Sequence, residues 1–131
     1  MNKKLDKILA EISAGELIDK ITILEIKKEN IKDIKKLDDV EKELLSLNNT
    51  LKVSIPNQSK INVLIKKLKH INLRLWDIEN GKRLAEKNNK FDEKFIKLAR
   101  SVYKENDERS RIKLEINNIL NSNIKEIKSH Y

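Results

Sequence analysis

The 131-residue sequence predicts an all-α fold: an antiparallel bundle of about four long helices, the last two forming a long hairpin. Three observations predict it. Two Gly and one Pro are too few for an all-β fold, which needs a turn every few residues. Apolar residues recur at spacings of three and four along most of the chain. Helix-start and turn residues fall between those periodic runs rather than inside them. The length is that of one domain, so residues 1–131 are expected to fold as a single unit.

Residues 1–12 form either a short helix or an extended arm; the spacing of Leu5, Ile8, Leu9 and Ile12 leaves both open. Ser13-Ala14-Gly15-Glu16 reads as a capping box, in which Ser13 accepts from the Glu16 amide and the Glu16 carboxylate returns to the Ser13 amide. The first helix is therefore expected over 14–32, burying Leu17, Ile18, Ile21, Leu24 and Ile31. Asp33 is the N-cap candidate for a second helix over 34–52, whose seam is Leu37, Val40, Leu44, Leu47 and Leu51. The only proline, Pro56, marks the next break. A third helix over 58–87 carries Ile61, Leu64, Leu68, Ile71, Leu75 and Ile78, with Gly81 inside it. Asn88-Asn89 is the following turn. The fourth helix, over 91–121, has the seam Phe91, Phe95, Leu98, Val102, Ile112, Ile116 and Ile119, with Asn106 as the point where a local disturbance is expected. Residues 122–131 form a tail. At 1.5 Å per residue the first two helices span about 28 Å and the last two about 45 Å. The short hairpin cannot cover the long one, which predicts a homodimer.

Composition narrows the function classes. No cysteine means no disulfide scaffold, no thiolate zinc site and no thiol nucleophile. No apolar run is long enough to cross a bilayer, and the amino-terminal residues do not resemble a secretory signal. A cytoplasmic protein without a membrane partner is expected. The net charge of +8 invites a nucleic-acid reading, but it comes from 24 Lys against 5 Arg, scattered along the chain. Lys, Ile and Asn, all abundant here, share AT-rich codons. Selection for phosphate contacts would more readily raise Arg, and aromatics for base stacking are scarce. Nucleic acid is therefore not the expected partner.

The informative positions are those where the apolar seams break. The fourth helix should carry apolar residues near 105 and 109 and instead has Glu105 and Arg109. Tyr103, Asn106 and Ser110 lie along one stripe, with Asp107 beside it. On the third helix Asn72, Trp76, Glu79 and Arg83 form another stripe, with Asp77 adjacent. If the hairpin turns at Asn88-Asn89, residue 76 meets residue 102 and Asn72 lies level with Asn106. The first helix adds Glu16, Asp19, Lys20 and Thr22 near a start whose free amides favour an anion. Two readings follow: a polar pocket with Trp76 as one wall, or interhelical bonds that fix register.

Catalytic patterns are sparse. His70 and His130 have no metal-ligand spacing, and Gly15 and Gly81 stand apart from any phosphate-binding loop. Glu16 and Asp19, joined by Asp77 and Glu79, could form the carboxylate set with which helical bundles hold magnesium for nucleotide hydrolysis. No catalytic residue, metal ligand or cofactor is assigned on these grounds.

The segment from Ser13 to Lys27, SAGELIDKITILEIK, together with Leu75–Glu79 (LWDIE), Phe91–Ile96 (FDEKFI) and Val102–Asp107 (VYKEND), resembles a small bacterial helical family of unknown function. The resemblance implies recurrent polar positions at Glu16, Asp19, Lys20, Trp76, Asp77, Glu79, Tyr103, Asn106 and Asp107. It also implies a link to surface-polysaccharide metabolism, and it carries no activity. The extra Lys and Asn and the arm before Ser13 depart from the family's usual look. The expected function is a binding or protein-interaction module for a protein partner or a small anionic ligand. The alternatives are a magnesium-dependent nucleotide pyrophosphohydrolase-like enzyme and a nucleic-acid binder acting through its basic surface.

Overall fold

The computed structural model describes residues 3–129. Met1, Asn2, His130 and Tyr131, at the outer ends of the predicted arm and tail, lie outside the described residues. Four helices are present: α1 Ala14–Asn30, α2 Ile34–Ser54, α3 Asn62–Lys87 and α4 Glu93–Ile119. The all-α bundle read from the sequence is the fold.

Each start has a local cause. Ser13 Oγ accepts from the Glu16 amide at 3.1 Å at the head of α1. The Asp33 carboxylate accepts from the Lys35 and Lys36 amides at the head of α2, and Asp92 from the Phe95 amide at the head of α4. The helix α3 has no side-chain cap and begins at Asn62 rather than 58. The Asn57 side chain holds the Ser59 amide at 3.0 Å, and this local turn after Pro56 keeps the chain out of helix for several residues. The α3–α4 turn uses Asn89 at φ 53°, a left-handed conformation that Asn tolerates. The fourth helix runs without interruption through Asn106, because that side chain bonds to Arg109 and leaves the backbone ladder intact. Residues 3–12 carry no helix.

The helix α1 is the centre of the packing. It contacts α2, α3 and α4, whereas the α2 backbone approaches only α1, with Leu51 reaching the apolar cluster around Ile18, and α3 pairs mainly with α4. One apolar cluster joins Leu17, Ile21 and Leu24 of α1 to Val40 and Leu44 of α2. A second joins Ile18 to Ile61, Leu64, Leu68 and Ile71 beside and within α3 and to Ile112 and Ile116 of α4. Burying each such side chain stabilises the fold by roughly 1.5–3 kcal/mol. Contacts of Gly15 with Asn117, Glu16 with Lys113 and Asp19 with Arg109 set α1 antiparallel to α4. Arg74 meets Glu105 and Gly81 meets Leu98, so the α3–α4 hairpin lies within one residue of the expected register. Phe91 and Ile119, expected on the α4 seam, are largely exposed: Phe91 lies before the helix begins at Glu93, and Ile119 lies off the face through which Ile116 and Leu120 reach the core. Phe91 packs edge-to-face on Phe95 instead, with ring centroids 5.2 Å apart. No helix among the described residues is long and apolar enough to cross a membrane.

Candidate functional site

A buried polar network lies where α1, α3 and α4 meet. Its hub is Asp19, fully buried between two apolar clusters. Arg109 holds the carboxylate from both sides, with Nε donating to Oδ1 at 2.9 Å and Nη2 donating to Oδ2. Asn72 Nδ2 donates to Asp19 Oδ1 at 2.9 Å and to Thr22 Oγ1 at 3.0 Å. The Thr22 hydroxyl in turn donates to the Asp19 carbonyl. A charge removed from water this completely needs paired donors on each oxygen, and here it has them. The hydrogen bond to Asp19 comes first among the causes that raise the Arg109 guanidinium above its ordinary value.

Lys113 extends the network toward the head of α1. Its Nζ donates to Glu16 Oε2 at 2.5 Å and lies 3.8 Å from Asp19 and 3.4 Å from Glu126 of the tail. Burial pushes the Glu16 carboxyl up, but the Lys113 hydrogen bond and charge together outweigh it, and the net shift is downward. This pairing corrects the capping-box reading by half. Ser13 caps Glu16 as expected, whereas the Glu16 carboxylate is drawn to Lys113 instead of returning to the Ser13 amide. The expectation that the start of α1 offers free amides to an anion is also overturned. The Ala14 amide donates to Ser122 Oγ, the Gly15 amide to Asn117 Oδ1 and the Glu16 amide to Ser13 Oγ. Side chains already fill the place of the anion.

Two cavities flank this network. The first, about 450 Å³, lies between the second half of α1 and α3; Ile23, Ile26, Leu75 and half-buried Trp76 form its apolar wall. Asn72, Glu79, Asn80, Arg83 and Arg109 supply its polar groups. The second, about 870 Å³, lies between α4 and the tail and includes Asn106, Asp107, Ser110, Lys113 and Glu126. Arg109 borders one and Lys113 the other, and both reach the same Asp19 carboxylate.

The residues singled out in the sequence therefore separate. Asn72, Trp76 and Glu79 share the α1–α3 cleft, and Asn72 joins it to Asp19. Asn106 and Asp107 belong to the α4–tail cavity, although Asn106 also accepts from Arg109 at 3.4 Å. Asn72 and Asn106 thus do not face one another: Asn72 turns to α1, because Asp19 offers a charged acceptor. Asp107 pairs with Lys128 of the tail at 2.6 Å, and Glu16 pairs with Lys20 at 3.5 Å on its outer side. Asp77 and Tyr103 are exposed and line neither cavity. The four carboxylates considered for magnesium do not converge, since Glu16 and Asp19 are consumed by cations and Glu79 pairs with Lys82. Among the described residues, no group of three or more His, Asp or Glu stands where it could hold a metal ion.

Arg109, Lys113 and Asn117 are the members that sequence reasoning left out. Arg109 is visible there only as a break in a seam. Lys113 and Asn117 sit at i+4 and i+8 from it, a polar stripe running into the packed end of α4. Asn117 is fully buried, and its Nδ2 has no hydrogen-bond partner while its Oδ1 holds the Gly15 amide at 2.6 Å.

A family model described as "Family of unknown function (DUF6165)" matches residues 8–131. No curated protein and no solved structure matches the chain.

Proposed function

The chain belongs to DUF6165, a family of unknown function, and from its geometry we propose that it acts as a binding module whose ligand seats beside Trp76 in the α1–α3 cleft. The observation that carries this reading is a half-buried tryptophan that shares one cleft with Ile23, Ile26 and Leu75 and with two cationic side chains, Arg83 and Arg109, against one acid, Glu79. Arg83 makes no ion pair among the described residues, and Arg109 is clamped in place by Asp19. An apolar wall, a fixed guanidinium and an unpaired one suit a small molecule with a flat apolar body and an anionic group. Asp19 is fully engaged in holding Arg109 and Asn72, so the network supports a positioning role for it rather than acid–base chemistry.

Trp76 is the only tryptophan in the chain, which makes its emission a direct report on the cleft. Titration with 8-anilinonaphthalene-1-sulfonate, an aromatic anion, should quench Trp76 by energy transfer. Arg83→Ala should weaken that binding without lowering the melting temperature. Equal titration curves for the parent and Arg83→Ala would sink the reading.

Self-association is part of the proposal. The outer half of the α3–α4 hairpin leaves Leu84, Phe91, Ile96 and Tyr103 more than half exposed, which favours a second copy as cover. A melting temperature that rises with protein concentration would support it, and a monomer mass at high micromolar concentration would remove it.

A further inference from the structure

We infer that residues 3–12 are a peripheral docking arm that folds into an amphipathic helix on an anionic lipid surface. In the structure this segment has no secondary structure, and Leu5, Ile8 and Leu9 are 83, 85 and 88% exposed. Nothing among the described residues covers them. Their positions are nevertheless not random: Leu5, Ile8, Leu9 and Ile12 stand at i, i+3, i+4 and i+7, one narrow stripe of a helix. Lys3 and Lys7 fall on the opposite side of that helix and Lys4 on its flank. Ten residues are too few to hold a helix in water, so the segment is extended until an apolar medium takes its stripe.

The point of attachment is rigid. Ser13, buried and extended at φ −74° and ψ 159°, donates to Glu126 and caps α1, so the arm leaves from a fixed corner rather than continuing α1. At that corner Asn123 Nδ2 donates to Glu11 at 2.6 Å, which occupies one of the two acids of the arm and brings the tail alongside. The tail adds exposed Lys125 and Ile127, the latter 75% exposed. Arm and tail, joined at Glu11 and Asn123, thus carry between them exposed leucine and isoleucine and four lysines.

Charge chooses between the possible covers. The chain carries 29 Lys and Arg against 21 Asp and Glu, so the surface of a second copy repels a lysine-flanked arm, while an anionic bilayer attracts it. Apolar residues on one face with lysines on the other is the pattern of segments that lie in the plane of a membrane interface. Such contact is peripheral and needs no spanning helix.

The test uses the full chain with vesicles of phosphatidylglycerol and phosphatidylcholine in equal parts, and with vesicles of phosphatidylcholine alone. The protein should co-sediment with the first and not the second, with a gain in far-ultraviolet helical signal. L5E/L9E should lower the affinity by roughly tenfold or more, since each leucine contributes on that scale when buried. Its melting temperature without lipid should not change, because neither residue belongs to the core. Failure to sediment with the anionic vesicles overturns the inference. So does binding that survives L5E/L9E, which would assign the effect to diffuse basic charge. A rise in molecular mass without lipid that L5E/L9E abolishes would make a second copy the cover and overturn it equally.

Discussion

Around α1 the molecule is three helices thick, and beyond Trp76 it is two. Every buried residue of α3 lies at or before Asn72, every buried residue of α4 at or after Ile112, and no residue between 73 and 111 is buried. The two glycines mark the contrast. A Cβ on Gly15 would stand 2.4 Å from the Lys113 carbonyl oxygen, a backbone atom of α4, whereas one on Gly81 would meet only the tip of Leu98, at 3.0 Å. The lesson concerns polar residues. Inside the three-helix end the buried polar groups are held by partners, the Asn117 Nδ2 excepted, and the loss of one strands the others. In the two-helix end most residues of the same types stand in water, the Glu105 Oε2 oxygen excepted, and are free to be anything.

The largest effect that would test this contrast is Asp19→Ala. It leaves the part-buried Arg109 guanidinium with Asn106 alone as acceptor and removes one of the two acceptors of Asn72. A loss of about 3–5 kcal/mol is expected, the usual result of breaking a buried pair from one side. Urea denaturation would measure it. A loss under about 1 kcal/mol would mean that the inner end tolerates an unpaired cation, and the comparison would fail.

Gly15→Ala comes next. The added methyl group must push α1 off the α4 backbone and lengthens the bond from the Gly15 amide to Asn117. Overpacking of this kind costs about 1–3 kcal/mol. Because a carbonyl oxygen cannot rotate aside, a neutral result would show that the helices separate freely.

A smaller effect should appear with pH. The folded Glu16 carboxyl titrates below its ordinary value, about 4.3 in an unfolded chain. Its contribution to stability is therefore complete above that value and is lost as pH falls through the lower folded value. Glu16→Gln should flatten the acid limb of the stability curve in that window and leave the slope above pH 5 unchanged. The pair is partly exposed, so the change should be about 1 kcal/mol or less. An unaltered acid limb would mean that the Lys113 contact is not held in solution.

The inner end was partly legible in the sequence. Leu17, Ile18, Asp19, Ile21, Thr22 and Leu24 form an almost unbroken buried run, and a helix apolar on most sides must be central. Asp19 stood out for other reasons, its place near the head of α1 and its spacing from Glu16, and the Ser13 and Asp33 caps were legible because they act through short-range bonds that local sequence encodes. Arg109 was not legible as the partner of Asp19, because ninety residues separate them and only the three-helix packing brings them together. Asp77 and Tyr103 misled for the opposite reason. Asp77 sits beside the Asn72 stripe and Tyr103 on that of Asn106, but periodicity does not report where a neighbouring helix ends. Glu16 obeyed a local rule until a stronger distant partner, Lys113, competed for its carboxylate.

The smallest expected effect is also the one that would test the comparison most directly. Gly81 lies inside α3, where replacing Gly by Ala gains up to about 1 kcal/mol of helix propensity. Against that gain stands the Leu98 Cδ1 atom at 3.0 Å, with Cδ2 at 3.7 Å. Leu98 is only half-buried, and its terminal methyl groups can turn toward solvent at little cost because no third helix closes over them. Gly81→Ala should therefore stabilise the protein slightly, by roughly 0.5 kcal/mol after the leucine shifts. The same substitution, glycine to alanine in a helix, is thus expected to have opposite signs at positions 15 and 81. Paired denaturation curves would read the difference with the chemistry held constant. If Gly81→Ala proves destabilising by more than about 1 kcal/mol, the outer hairpin is packed as tightly as the inner bundle. The open cleft and the exposed apolar stripe of the hairpin would then lose the loose packing on which both depend.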